Sequence, residues 1–292
     1  MDLQQLRYVV AVADTGSFTR AAERCHVTQS ALSHQIAALE REVGVRLFAR
    51  TSRSVRATES GEAFLHSARR AVRAADQAKE DAAAAGGEVL GALRLGIIPT
   101  VTALDVPALL VAYREAHPAA RVELRVGNSD TLMAAIRRGD LDVALLGLRE
   151  GLDPDGVGSR PLARDPLVAV LPRGHDLGVR RSLRLSDLAD SAFADFPTGT
   201  SGRSQSDAAF LAAGVRRDVA FEADTAASLI GLVAAGLAVT LLAPGVVRGF
   251  EDRVDTVPLR DGPVRIEHLA WDAEAPRSAA RAFLRIVDAS AS

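Results

Sequence analysis

Cysteine, lysine and long apolar runs are nearly or wholly missing from this sequence of 292 residues. Its one cysteine, Cys25, excludes an intrachain disulfide and suits a reducing compartment. It reads as a small buried apolar side chain rather than a redox group. No apolar stretch approaches the ~20 residues a membrane helix requires. The first turn carries Asp2 and Arg7 where an export signal would place a basic and then an apolar segment. These absences predict a cytoplasmic protein with no membrane partner. Lys79 is the one lysine, so arginine carries nearly all the positive charge; no function follows from that bias.

Clusters of catalytic or metal-binding residues are missing too. The histidines, His26, His34, His66, His117, His175 and His268, lie too far apart for ligand spacing, so neither a metal nor a cofactor is expected. The run Gly199-Thr200-Ser201-Gly202-Arg203 lacks both the Gly-Lys-Ser/Thr ending of a phosphate cradle and the Gly-x-Ser-x-Gly spacing of a nucleophile turn. An enzyme is therefore not expected, and no catalytic residue is assigned. A net charge of −2 does not by itself point to nucleic acid, so what matters is where the positive charge sits.

What is present is enough apolar material, 48%, for two or three domains with real cores. Leu3, Leu6, Val10 and Ala13 recur at helical spacing and stop at Gly16-Ser17, a helix end followed by an N-cap. A short second helix puts Phe18, Ala21, Ala22 and Cys25 on one face. After a break at His26-Val27, Thr28 caps a third helix with a stripe of Leu32, Ile36, Leu39 and Val43. Its other side carries Gln29, Ser30, Ser33, His34 and Ala37. A short helix, a tight turn and a longer helix make a helix-turn-helix, whose second helix enters the major groove. Gln29 suits adenine, and Ser33 and His34 reach a base edge or a phosphate. Periodicity alone suits the solvated face of an ordinary bundle equally well. The next segment, Val45 to Thr58, reads as a hairpin wing. It carries Arg46, Arg50, Arg53 and Arg56 with no acidic residue, a local positive patch in a weakly acidic chain.

Phe18-Thr19-Arg20-Ala21-Ala22, Thr28 to Ser33, Gln35-Ile36, Leu39-Glu40, Gly44, Leu47-Phe48 and Arg50 together resemble the signature of LysR-type transcriptional regulators, over roughly residues 1 to 65. The resemblance implies a winged helix-turn-helix with Gln29, Ser30 and Ser33 as DNA contacts and Arg53 on the wing. Ser30 stands where the family commonly has proline, and His34 where it commonly has arginine. With Thr28, Arg50 and Arg56 these residues make up the expected DNA-binding set. The partner is double-stranded promoter DNA, and RNA polymerase is a further candidate partner.

From Thr58 to Ala85 there is no proline. Gly61, Phe64, Ala68, Ala71, Ala75, Ala78, Ala82 and Ala85 alternate spacings of three and four, a heptad seam. A paired linker helix is expected over 59–87, with Phe64, Ala68, Ala71, Ala75 and Ala78 at the dimer contact and Gly86-Gly87 as a hinge. A solvated alanine-rich spacer is the alternative. The family resemblance implies dimers, and tetramers built from two of them.

Beyond Gly91 short apolar runs alternate with helical stretches: Leu93 to Ile98, Val122 to Val126, Val143 to Leu146, Leu167 to Leu171, Ala192 to Phe196 and Val239 to Leu242. This predicts an α/β architecture with largely parallel sheets, and helices after Thr100, Ser129, Arg203, Thr225 and Pro276. The elements fill two lobes, 92–161 with 267–292 and 162–266, joined by two crossover strands. The expected organisation is a 1–58 head, a 59–87 linker and an 88–292 effector domain. Gly139-Asp140-Leu141-Asp142, Leu171 to His175 and Leu232 to Gly236 resemble the family's effector domain, which has the fold of periplasmic binding proteins with ligand in the interlobe cleft. Ligands in open α/β sheets bind beyond the carboxyl ends of strands, where helix starts present free amides to anions. That rule selects Thr100, Thr102, Asn128, Ser129, Phe196, Thr198, Gly199, Thr200 and Thr225, with Arg149 and Arg203 as candidate cations. The expected ligand is a small carboxylate or a similarly polar metabolite, although each hydroxyl taken alone also suits a routine N-cap. A transport-type solute-binding protein would share this fold but would need export and would have no use for the first ninety residues.

Overall fold

A computed structural model describes residues 1–50, 55–85, 89, 91–274 and 276–290. The expected Gly86-Gly87 hinge and Arg53 lie outside the described residues. The chain divides into two compact units, Met1–Glu88 and Val89–Ser292.

In the first unit each helix starts and stops where its end residues demand. Helix α1 (Leu3–Thr15) is capped by Asp2, which accepts from the Gln5 N–H, and ends at Gly16 in the left-handed region. Ser17 caps α2 (Phe18–Arg24), and Thr28 caps α3 (Gln29–Val43). The turn between α2 and α3 closes through His26 at φ +56°, a left-handed conformation that a non-glycine residue holds only at some cost. Strands β1 (Phe48–Arg50) and β2 (Val55–Ala57) pair antiparallel as the expected hairpin. The Glu40 carboxylate fixes the hairpin to α3 by accepting from the N–H groups of Leu47 and Phe48 at 2.7 and 3.2 Å.

Two stripes differ from expectation. In α1 the buried residues are Leu6, Tyr8, Val9, Ala11 and Val12, while Leu3 is exposed; both α3 and the helix that follows the hairpin pack on this helix, so its buried arc is wider and rotated. In α3 the stripe ends at Leu39, because Val43 lies in the exposed last turn.

Helix α4 (Glu59–Ala85) begins beside the hairpin, where Gly61 packs so close that a Cβ there would lie 2.0 Å from the Leu47 carbonyl oxygen. One face of its first half belongs to the unit's own core, with Leu65 1% and Ala68 2% exposed and Phe64 partly buried. Arg69 pairs with Asp14 at 2.7 Å, and Arg7 pairs with Asp76, along the same contact with α1. Ala68 is therefore not free to meet a partner, which corrects its assignment to the dimer seam. Ala71 and Ala78 are exposed and Ala75 is half-buried.

The second unit opens with a sheet of order β4-β3-β5-β12-β6, formed by β3 (Ala92–Ile97), β4 (Arg121–Val126), β5 (Val143–Arg149), β6 (Gly158–Pro166) and β12 (Val264–Trp271). Helices α5 (Val106–Ala116) and α10 (Ser278–Ser290) cover one face through Tyr113 and Phe283, against Leu93, Leu95 and Leu145. Helix α6 (Ser129–Arg138) covers the other through Leu132 and Ile136, against Ala144 and Leu146.

The second lobe holds a sheet of order β10-β7-β11, with β7 (Val168–Pro172), β10 (Thr240–Leu242) and β11 (Val254–Pro258). A parallel pair stands beside it, β8 (Ala192–Asp195) with β9 (Asp218–Glu222). Helices α7 (Ser201–Ala212), α8 (Ala226–Ala234) and the short α9 (Pro244–Val247) complete it.

The sheets are not largely parallel: the five-stranded sheet is mixed, with β12 antiparallel to both β5 and β6, and the three-stranded sheet is antiparallel, with β7 opposed to both β10 and β11. For β6 and β12 the reason is the crossover itself, since a chain that leaves on one and returns on the other must run in opposite directions. The expected switch points, 161 and 266, fall inside these strands. Two helix starts are corrected. The one after Thr100 begins only at Val106, capped by Asp105, and the one after Arg203 begins earlier, at Ser201, capped by Thr200. Among the described residues no helix is long and apolar enough to cross a membrane.

Candidate functional sites

The first site is a helix face that the unit's core turns outward. Leu32, Ile36 and Leu39 are each 0% exposed, which leaves Thr28, Gln29, Ser30 and His34 exposed and Ser33 half-buried on the other side. Thr28 is spent as the cap, accepting from the Ala31 N–H at 3.2 Å, and lies 3.2 Å from the Ser30 hydroxyl. The Gln29 amide donates to the Ser33 hydroxyl one turn away at 3.0 Å. Five expected DNA residues thus form one surface. Arg56 is exposed on β2, opposite Ala49. Arg50 ends β1, and its side chain, like all of Arg53, lies outside the described residues.

The second site is a cleft of about 380 Å³ in the second unit. One wall comes from the ends of β3 and β4 and the start of α6, through Ile98, Thr100, Val126, Asn128 and Ser129. The facing wall comes from the loops after β8 and β9 and the start of α7, through Phe196, Thr200, Gly202 and Thr225. Thr100, Asn128, Ser129, Phe196, Thr200 and Thr225 are therefore brought together as expected.

Their hydroxyls are not equivalent. Ser129 is spent on Gly147, and Asn128 caps α6 by accepting from the Thr131 N–H at 2.9 Å. Thr200 accepts from the Arg203 N–H and donates to the Pro197 carbonyl; Thr225 accepts from the Ser228 N–H. Thr100 and Ser201 are different, since among the described residues their hydroxyls have no hydrogen-bond partner.

Three expected residues do not line the cleft. Thr102 turns to the buried Glu267, whose carboxylate accepts from the Thr102 hydroxyl at 2.7 Å and from the N–H groups of Thr102 and Ala103. Thr198 donates to Glu222 at 2.9 Å, which, with the Arg203 hydrogen bond, holds the Glu222 carboxyl below the usual range. Gly199 supplies the left-handed turn before α7 at φ +85°. Neither candidate cation lines the cleft: Arg203 pairs with Asp207 and Glu222, and Arg149 is exposed at the end of β5.

Among the lining residues not foreseen are Gln205, Asp224 and Arg265. Gln205 is 3% exposed and its amide nitrogen has no hydrogen-bond partner. The signal for it was a glutamine on the face of α7 that also buries Phe210. Arg265 sits 6% exposed in a strand of otherwise mostly buried residues.

A buried ion pair anchors the loop from which α7 springs. The Arg217 guanidinium lies over the rings of Phe193 and Phe210, at 5.5 and 5.2 Å, and pairs with Asp195 and Asp207 at 2.6 Å each. Burial pushes the Asp195 carboxyl up, against the pull of Arg217. Asp195 in turn accepts from the Phe196 N–H at 2.7 Å, at the cleft wall.

Sequence profiles for two domains match the chain: a bacterial regulatory helix-turn-helix of the lysR family over residues 3–62, and a LysR substrate binding domain over residues 86–292. A hydrogen peroxide-inducible genes activator of Dickeya chrysanthemi is 33% identical over 242 residues, covering 83% of this chain and 79% of that protein. Among solved structures, a full-length OxyR variant from Pseudomonas aeruginosa has a TM-score of 0.78 at 28% identity, covering 99% of this chain and 94% of its own. Full-length CbnR in complex with its target DNA has a TM-score of 0.67 at 27% identity, covering 99% and 100%.

Proposed function

The chain belongs to the LysR family of bacterial transcriptional regulators, and from that membership we propose which residues read DNA and what its second unit senses. It is a DNA-binding regulator whose effector domain implies control by a small molecule. In our reading α3 lies in the major groove, with Gln29, Ser30 and Ser33 at base edges and Thr28 and His34 at phosphates. Arg50, Arg53 and Arg56 of the hairpin follow the phosphates or enter the adjoining minor groove. The exposed polar face of α3, backed by fully buried Leu32, Ile36 and Leu39, carries this assignment. The protein works in the cytoplasm and associates as a dimer or tetramer through Ala71, Ala75 and Ala78 of α4, with RNA polymerase as its partner where it activates.

The effector we propose is a small polar or anionic metabolite in the cleft, met by amides at the starts of α6 and α7. A ligand that binds two arrangements of the lobes unequally shifts their populations, which is what control requires. A peroxide response through a disulfide within one chain is closed to this sequence, because Cys25 is its one cysteine.

Titrating the protein against the DNA upstream of its own gene at rising salt tests the first half. Saturable, site-selective binding with steep salt dependence is expected, and indifference to DNA at low salt sinks the reading. Thr100→Val tests the second half: DNA affinity should persist while the response to metabolite is lost. An unchanged response would mean that the cleft is misplaced.

A further inference from the structure

Among the described residues two charged ones line the cleft, Asp224 and Arg265, and they are not equal. The terminal nitrogens of the Arg265 guanidinium are engaged inside the protein, donating to the Thr100 carbonyl at 2.9 Å, to Asp165 at 3.0 Å and to Glu267, while its Nε has no hydrogen-bond partner. One positive charge facing two carboxylates presents no net cation to a ligand. Asp224 is the reverse case. It is exposed at the cleft and, among the described residues, its carboxylate has no hydrogen bond or ion pair.

Beside it the wall asks for an acceptor. The buried Gln205 amide nitrogen has no partner, the Ser201 hydroxyl has none among the described residues, and the Ser201 and Gly202 N–H groups open α7. The loop that leads into α7 and the loop that holds Asp224 line the same cleft for a topological reason. Strands β8 and β9 are parallel neighbours, and the Ala223 N–H donates to the Asp195 carbonyl at 3.1 Å. The Phe196–Gly202 loop and Asp224 therefore leave adjacent strands, which are spaced at ~4.8 Å. Donors and an unpaired carboxylate lining one cleft suit a ligand that bears a negative and a positive group on one carbon atom.

We infer that the cleft takes an α-amino acid, its carboxylate on Gln205 and the first amides of α7, its ammonium on Asp224, and its side chain against Ile98 and Val126. This rests on the cleft being the effector site. A plain carboxylate finds the donors but also meets the uncompensated charge of Asp224. A plain amine leaves the Gln205 nitrogen unpartnered.

The test uses the full chain and calorimetric titration. The twenty common L-amino acids are screened first by thermal shift, and the strongest is then compared with its des-amino carboxylate and its decarboxylated amine. The amino acid should bind at least about tenfold more tightly than either, since each analogue leaves one charged or buried polar group unmet. Asp224→Asn should bring the amino acid and its des-amino analogue to within about threefold of each other, and Gln205→Leu should weaken both alike. The inference is overturned if no amino acid stabilises the protein, if the des-amino analogue binds as well, or if Asp224→Asn keeps the preference. Gly202→Trp separates this from failure of the cleft itself, because a Cβ there already lies 3.0 Å from the Phe196 ring. If this variant abolishes binding of carboxylates that show no amino preference, the cleft stands and the amino acid falls. If it folds and still binds the probe unchanged, the ligand sits elsewhere, and both readings fall.

Discussion

The Ser129 hydroxyl is held at both ends by Gly147, donating to its carbonyl at 2.9 Å and accepting from its N–H at 3.0 Å. Ser129 is 1% exposed and opens α6, so this pair stitches the helix start to β5 at the base of the cleft. Ser129→Ala orphans two buried backbone groups at once and should cost about 1–3 kcal/mol. Urea unfolding should show a lower midpoint at unchanged slope, while DNA affinity at saturating protein is retained. A midpoint equal to that of the parent would mean water replaces the hydroxyl at no cost.

The Arg217–Asp195 pair predicts a larger effect. Their side chains are 5% and 4% exposed, so removing one leaves the other charged and dry. Arg217→Met should destabilise by about 3–5 kcal/mol. Adding Asp195→Asn should recover most of that loss, because burial already pushes the Asp195 carboxyl toward its neutral form. If the double variant is no more stable than the single, the cation's packing on Phe193 and Phe210 matters more than the charge.

His268 predicts a pH dependence. It is 4% exposed on β12 and neither ring nitrogen has a hydrogen-bond partner. Burial holds its pKa below the ordinary value, with Asp153 pulling weakly the other way. The unfolded chain takes up a proton below about pH 6.5, whereas the folded chain resists it. The stability tied to this group is therefore fully present above about pH 6.5 and is lost as pH falls through the lower folded value. Melting curves from about pH 7.5 down to about 5.5, a window that brackets the ordinary histidine value, should fall more steeply for the parent than for His268→Leu. Parallel curves would assign the acid sensitivity to other groups.

The head was legible in the sequence because its signals are local. Ser17 and Thr28 cap helices only a few residues away, and the α3 stripe follows from a period of 3.6. The cleft was legible only as a place. Which polar atoms remain free in it depends on partners far along the chain: Thr102 is claimed by Glu267, and Arg265 by Asp165, 100 residues away. The same remoteness hid the reversed direction of β12. Ala68 misled for another reason, since a small residue at a heptad position looks the same whether it meets a second copy or, as Ala68 does, is buried within its own unit.

The DNA surface gives the last prediction, in two variants that should fail differently. Arg56 is exposed on the hairpin, where a cation neutralises phosphate without reading sequence. Arg56→Ala should weaken binding to all duplexes alike and lower the slope of log affinity against log salt by about one. Gln29 is tied to Ser33 at 3.0 Å, which fixes its amide for a paired contact with one base. Gln29→Ala should cost about 1–3 kcal/mol at the preferred site and almost nothing on unrelated DNA, with the salt slope unchanged. Ser33→Ala should reproduce a smaller version of the same loss by releasing that amide. If Gln29→Ala lowers the salt slope as Arg56→Ala does, α3 is following the backbone and the base-reading role belongs elsewhere on its face.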